Sequence, residues 1–201
     1  MEFRDLLRQR RMVRHYLPEP VPPEVLERIV ATVRRAPSAG FSQGQRLLVV
    51  TDPRSLEILA AEEARDRPAD VEPWFGTAAA HVLVLTREQD YHDRYRKADK
   101  LREGGEIEWP VPFWFVDAGA ALMLVLLAAI DEGLGASVYG VPVELDGAVR
   151  ELLGIPADLC VVAGVTLGKP ASDPGWSRVT SRATQRRRAL DELVRWERWS
   201  S

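Results

Sequence analysis

The sequence predicts one domain of mixed helices and strands, of the α/β or α+β class. Helical apolar stripes alternate with short continuous apolar runs, which are typical of buried strands. The chain of 201 residues is 46% hydrophobic and 28% charged, enough apolar surface for one core. Its single cysteine, Cys160, excludes an internal disulfide, so this core must hold the fold without a covalent staple.

The first quarter of the chain predicts two helices followed by a small-residue loop and a strand. Prolines are accepted in the first turn of a helix, where the N–H groups have no partners, and they end helices elsewhere. The predicted order is a helix ending near Arg11, an extended segment over 11–16, a helix from Pro22 to Pro37, a loop over 37–45 and a buried strand over 47–50.

The remainder predicts three further strands between helices. Asp52 and Pro53 have the chemistry of an N-cap and a first helical residue, and Gly133 with Gly135 should end the long apolar helix. The predicted order after residue 50 is a helix from Asp52, a buried strand over 81–86, a charged and aromatic lid or excursion over 87–112, a helix from Asp117 to Glu132, a strand over 136–139, a helix over 146–153, a strand over 160–167 and a tail from Pro170 that is helical from Ala189 to Trp199.

Charge is distributed unevenly along the chain. Residues 1–35 hold eight arginines against five acids, and residues 176–201 hold seven against three, which leaves the middle with −10 within a net charge of −3. The net charge predicts no nucleic-acid partner. The basic ends have two open interpretations, which are solubility with salt bridges to the middle, or convergence on an anion, for which arginine's planar fork is suited.

Several classes of protein are disfavoured by local patterns. The histidines lack metal-ligand spacing, so we expect no metal. The segment Gly40-Phe41-Ser42-Gln43-Gly44 matches a nucleophile elbow, but a helix precedes it and a strand follows, the reverse of a serine hydrolase. Gly133-Leu134-Gly135 follows a helix, not the strand of a dinucleotide fingerprint. The start has no apolar signal region and the run over 118–130 is short for a membrane span, so we expect a cytoplasmic protein without a membrane partner.

Five segments, in order along nearly the whole chain, resemble the flavin-dependent nitroreductase family. They match the family's opening arginine motif and following P-V-x-x-E-x-L, its A-P-S-x-x-N-x-Q loop, its glycine end of the long helix, its L-G-I-P before the last strand, and its basic tail. The matching segments are Arg10-Arg11-Met12-Val13-Arg14 with Pro20 to Leu26, Ala36 to Gln43, Gly133-Leu134-Gly135 with Ser137 to Gly140, Leu153 to Pro156 with Leu167 to Pro170, and Arg186 to Val194 with Trp199.

The resemblance implies an α+β, three-layer α/β/α sandwich with a mostly antiparallel sheet. It implies one domain over 1–201, whose long helices form a homodimer interface and whose tail over 170–201 wraps the partner. It also implies FMN at that interface, with NAD(P)H reducing flavin N5 and a flat nitroaromatic or quinone-like acceptor then oxidising it in a ping-pong sequence. The flavin carries the chemistry, so no side chain is assigned a catalytic role.

The same resemblance implies which residues hold the cofactor and the substrate. The cofactor residues are Arg10, Arg11, Met12, Arg14, Pro37, Ser38, Ala39, Gly40, Phe41, Gln43, Tyr139, Gly140, Arg186, Arg187 and Arg188. The substrate residues are Phe41, Tyr91, Tyr95, Phe113 and Trp114. Met12 and Phe41 depart from the family's serine and asparagine. Two alternatives stay open, which are other flavin chemistry on the same fold, such as metabolite dehydrogenation or flavin fragmentation, and flavin binding without turnover.

Overall fold

A computed structural model describes residues 1–66, 74–103, 105–141, 143–172 and 187–199. The chain divides into two units, residues 1–171 and 172–201. The helices of the first unit are α1 Phe3–Gln9, α2 Pro23–Ala31, α3 Pro53–Asp66, α4 Gln89–Tyr95, α5 Phe113–Asp131 and α6 Val143–Leu153. Its strands are β1 Gln45–Val50, β2 Ala80–Thr86, β3 Gly135–Tyr139 and β4 Cys160–Gly168.

The four described strands form one antiparallel sheet in the order β1-β2-β4-β3. Strand β2 lies in the middle, and all seven of its residues are buried. Such a strand reads as a continuous apolar run because both of its faces pack against helices. Val82 and Val84 face α2 and α5, whereas Leu83 and Leu85 face α3 and α6. The predicted three-layer α+β sandwich is therefore confirmed.

Helix α5 is the largest element of the core. Ala118, Ala121 and Ala129 are fully buried, and their small side chains let the helix lie close to the sheet. The helix ends as the sequence predicts, because Gly133 adopts a φ of +76° and the N–H of Leu134 donates to Ala129 O. Among the described helices, α5 alone is long and apolar enough to cross a membrane, a test that the core helix of a soluble protein also passes.

Three local predictions are wrong. Helix α5 begins at Phe113, behind Pro112, so Asp117 lies inside the helix and is not its N-cap. The excursion over 87–112 is not confined to the surface, because it contains α4, whose Tyr91 is fully buried. In the second unit, helix α7 (Leu190–Leu193) is a single turn and does not extend to Trp199, since helices this short are marginal without tertiary packing.

Candidate functional site

The small-residue loop before β1 is a tight turn that presents its largest side chain outward. Gly40, Phe41 and Gln43 adopt φ values of +59°, +61° and +52°. The N–H of Gln43 donates to Ser38 Oγ at 3.0 Å, and the hydroxyl of Ser42 donates to Ala39 O at 2.6 Å. The Phe41 side chain is consequently 74% exposed.

Two helices hold this loop from behind. The N–H of Ala39 donates to Asp117 Oδ2 of α5 at 2.8 Å. From α4, Arg94 Nε donates to Gly40 O at 2.7 Å. The Tyr95 ring occupies the space in which a side chain at residue 40 would lie, since a Cβ there would be 2.6 Å from it. The predicted lid therefore supports the loop through its helix α4.

Two of the residues predicted to contact the substrate, Tyr91 and Trp114, are buried instead. Tyr91 is 0% exposed, and its hydroxyl donates to Asp117 Oδ2 at 2.7 Å. Trp114 is 8% exposed and packs among the rings of Tyr91, His92 and Trp109. Both side chains point inward because large aromatic surface is most stable in the core. Phe41 and Phe113 are exposed and Tyr95 is half-buried, and a substrate role for these three stays a prediction.

The arginine segment, residues 10–14, lies against the edge strand β3. The N–H of Val13 donates to Ala136 O of β3 at 2.8 Å, and the Val13 side chain fills the space that a Cβ on Gly135 would need. Arg10, Met12 and Arg14 are half-buried, whereas Arg11 is exposed. Arg11 also lines a cavity of about 210 Å³, together with Ile130, Gly133 and their neighbours near the end of α5.

Arg14 belongs to an aromatic cluster at the end of β3. Its guanidinium carbon lies 5.4 Å from the centre of the Trp74 ring, a cation–π contact. Trp74 contacts Phe75, and the Phe75 ring lies 4.5 Å from the Tyr139 ring. The Tyr139 ring passes over Gly164, where any side chain would collide with it. This packing fixes the strand end at which Tyr139 and the exposed Gly140 lie.

His81 secures the same strand end from the interior. Burial lowers the pKa of His81 to about 4, so its ring is neutral near pH 7. Its Nε2 lies 3.3 Å from Phe75 O, which can only accept, and its Nδ1 lies 3.0 Å from the Tyr139 hydroxyl. We assign the Nε2–H tautomer, in which Nδ1 accepts from Tyr139. The sequence offered a signal for this residue, a histidine opening a continuous apolar run.

One chain does not bring all of the predicted cofactor residues together. The loop is fastened at Asp117, near the beginning of α5, and Arg11 lies beside Ile130, near its end. Thirteen helical residues between these points span about 20 Å. Arg187 and Arg188 are exposed in the second unit, and Arg186 lies outside the described residues.

Comparison with known proteins places these features in a family. The family model described as "Nitroreductase family" matches residues 7–169. FMN reductase [NAD(P)H] of Bacillus subtilis is 30% identical over 82% of this chain and 64% of its own length. Chloronitrobenzene nitroreductase of Comamonas testosteroni is 28% identical over 82% and 85%, and iodotyrosine deiodinase of Danio rerio is 28% identical over 85% and 61%.

Solved structures share the fold. NADPH:FMN oxidoreductase of Vibrio harveyi, complexed with NAD⁺, aligns with a TM-score of 0.72 over 98% of this chain and 77% of its own, at 21% identity. A Desulfovibrio desulfuricans protein solved in complex with FMN aligns with a TM-score of 0.68 over 98% and 96%, at 26% identity.

Proposed function

Because this chain belongs to the nitroreductase family, we propose that it is an FMN-dependent oxidoreductase that uses NAD(P)H to reduce a flat aromatic acceptor such as a nitroarene or a quinone. The relatives named as an FMN reductase and a nitroreductase support the cofactor and the acceptor class. The observation that carries the proposal is the division of the predicted site between the two ends of α5. A homodimer built on this helix would join the two halves.

The exposed face of α5 supports such a dimer. Val116, Gly119 and Met123 are exposed and spaced by three and four residues, so they form one apolar stripe along the helix. The exposed fraction is 50% for Val116 and 43% for Met123. A stripe of this kind is normally covered by another surface. A second copy of the chain is the occupant we propose, because only a second copy also completes the site.

Twofold symmetry explains how the halves would meet. Two α5 helices that pack antiparallel place the beginning of each helix beside the end of the other. The loop over 37–43 of one protomer then approaches the arginine segment of its partner. The symmetry makes two identical sites, each with one arginine segment and one loop. Each site buries its ligand between subunits, where water is excluded more completely than at an open surface.

The residues present suit FMN. Arg10 and Arg14 are half-buried cations on a backbone held by β3, and they would bind the phosphate. The small side chains of Ser38 and Ala39 let the loop backbone come close to a flat ring. Phe41 would cover the slot that the acceptor enters. Bound FMN would supply the redox chemistry by taking a hydride from the nicotinamide and giving it to the acceptor.

An aryl halide is a second candidate acceptor, which the iodotyrosine deiodinase relative favours. The loop is compatible with either class, because Phe41 offers an aromatic surface and no hydrogen-bonding group. A serine hydrolase is not favoured, since the Ser42 hydroxyl donates to its own loop and the loop lies between a helical turn and a strand. The FMN reductase and the chloronitrobenzene nitroreductase share the reductive chemistry that their names state.

Absorbance spectroscopy tests the proposal. We expect the purified protein to carry a flavin spectrum that bleaches on anaerobic addition of NADH or NADPH and returns on addition of an acceptor. A panel of nitroarenes, quinones and a halogenated tyrosine identifies the acceptor class. An oxidised spectrum that neither nucleotide bleaches indicates flavin binding without turnover. A protein that binds no FMN contradicts the proposal.

A further inference from the structure

Asp117 is a buried acid on α5 that the proposed chemistry does not use. It is 5% exposed and lies in the second turn of the helix. One of its oxygens, Oδ2, accepts from two donors that are far apart in the sequence, the N–H of Ala39 at 2.8 Å and the hydroxyl of Tyr91 at 2.7 Å. A single carboxylate thus fastens the loop, α4 and α5 to one another.

The loop requires such a fastening because its backbone is strained. Three of its residues lie in the left-handed region, and two of these, Phe41 and Gln43, are not glycine. Residues with a side chain rarely adopt this conformation because it costs free energy, and such conformations persist where the surroundings hold them. The holding contacts come from Asp117 and from Arg94, which donates to Gly40 O. Without them the loop would relax toward conformations that turn Phe41 elsewhere.

We propose that Asp117 is a positioning residue for the cofactor. It acts through Ala39 to hold the loop over 37–43 in the shape that receives the flavin ring. The same shape orients Phe41 toward the acceptor. This proposal rests on the proposed function. It assigns Asp117 to the ring half of the site, which is the loop over 37–43. The phosphate half is the arginine segment over 10–14, about 20 Å away along α5.

The location of Asp117 separates its effect from that of a phosphate ligand. A change at the ring half should weaken FMN and riboflavin equally, because both carry the same ring. A change at the phosphate half should weaken FMN alone. General destabilisation lowers the melting temperature without altering the geometry around bound flavin, so it leaves the visible circular dichroism of the cofactor unchanged.

The test uses deflavinated full-length protein with Asp117→Asn, Asp117→Leu and Tyr91→Phe. Leucine removes the acceptor, and we expect about a 10-fold increase in the Kd of both FMN and riboflavin, with altered visible circular dichroism. That factor corresponds to about 1.4 kcal/mol, the scale of one charge-assisted hydrogen bond. Asparagine keeps an acceptor oxygen and should rescue part of the loss. Tyr91→Phe leaves the Ala39 bond intact and should have the smallest effect.

Val149→Ala is the matched control for stability, since Val149 is buried on α6 against the opposite face of the sheet. It should lower the melting temperature and leave both Kd values and the dichroism unchanged. Unchanged Kd values and dichroism in Asp117→Asn and Asp117→Leu would overturn the proposal and leave Asp117 a purely structural residue. If the leucine variant does not fold, Asp117→Asn decides the matter, because a smaller increase in both Kd values with altered dichroism supports the proposal and unchanged values overturn it. Failure of the wild type to bind FMN would contradict the proposed function, a different result.

Discussion

The arginine segment and the small-residue loop are held in opposite ways. The segment over 10–14 lies against a regular scaffold, with Val13 bonded to β3 and its arginine side chains extending from a secured backbone. The loop over 37–43 is irregular and strained, and side chains from α4 and α5 hold it. Phosphate recognition needs placed charges, whereas ring recognition needs a placed backbone. The difference teaches that the two halves should fail differently when they are perturbed.

The largest effect is expected from a substitution that separates the two halves of the site. Met123→Glu puts a charge on the exposed apolar stripe of α5 without entering the core, so the protein should fold as a monomer and lose measurable binding of FMN and riboflavin. Light scattering and flavin titration measure the two outcomes. Val49→Glu makes the same kind of change on the exposed side of β1 and should keep the dimer. An FMN-replete monomer would show that one chain holds a complete site.

Arg14→Gln should weaken binding of the FMN phosphate and leave binding of the flavin ring unchanged. A charge-assisted hydrogen bond contributes about 1.5–3 kcal/mol, so FMN binding should weaken by roughly 10- to 150-fold. Riboflavin has no phosphate, and its Kd should stay constant. Arg54→Gln, at an exposed position on α3, is the control and should change neither. Equal losses for both ligands would mean that Arg14 supports the Trp74 cluster and not the phosphate.

Acid should weaken the two halves unequally. His81, which secures Tyr139 in the aromatic cluster that also contains Arg14, has a pKa lowered from 6.5 to about 4 by burial. The unfolded chain therefore takes up a proton first as the pH falls below 6.5, and stability declines until the pH passes about 4. From about pH 7.5 to about pH 5 the loss is about 2 kcal/mol, or about 30-fold in hydrogen-exchange protection.

His92 in the ring half behaves oppositely. Its bond to Glu106, and secondarily to Glu88, raises its pKa, so this bond stabilises α4 below pH 6.5 and is lost as the pH rises through the raised value. Protection factors around Tyr139 should fall on acidification while those of α4 hold or rise. His81→Gln and His92→Gln should each remove the corresponding response. Parallel changes in both regions would show that the halves open together.

The smallest effect concerns acceptor choice. Phe41→Asn restores a polar side chain at the exposed tip of the loop without touching Asp117 or Arg94. The ratio of kcat/KM between quinones and nitroarenes should shift by several-fold, since one hydrogen bond differs in net energy by about 1 kcal/mol. The Kd of FMN should stay within about two-fold. An unchanged acceptor profile would make Phe41 a loop residue without a role in selectivity.

The sequence by itself determined most of the fold. Continuous apolar runs at 81–86 and 160–167 are strands because a sheet covered on both faces has no polar side, and prolines and glycines marked where helices begin and end. Motifs that depend on local chain chemistry, such as the small-residue loop and the arginine segment, were equally visible. These features are encoded within a few residues of one another, which is why pattern alone reveals them.

Only the tertiary structure decided how the site is held. Asp117 looked like an N-cap because an acid before an apolar run usually is one, but its partners are 78 and 26 residues away and no local pattern indicates them. The charged neighbours of Tyr91 predict a lid residue. Its ring is buried instead, in the space that a side chain at Gly44 would occupy. Long-range packing decides which way a side chain points when the local sequence allows several orientations. The loop could therefore be predicted from the sequence, whereas the side chains that hold it could not.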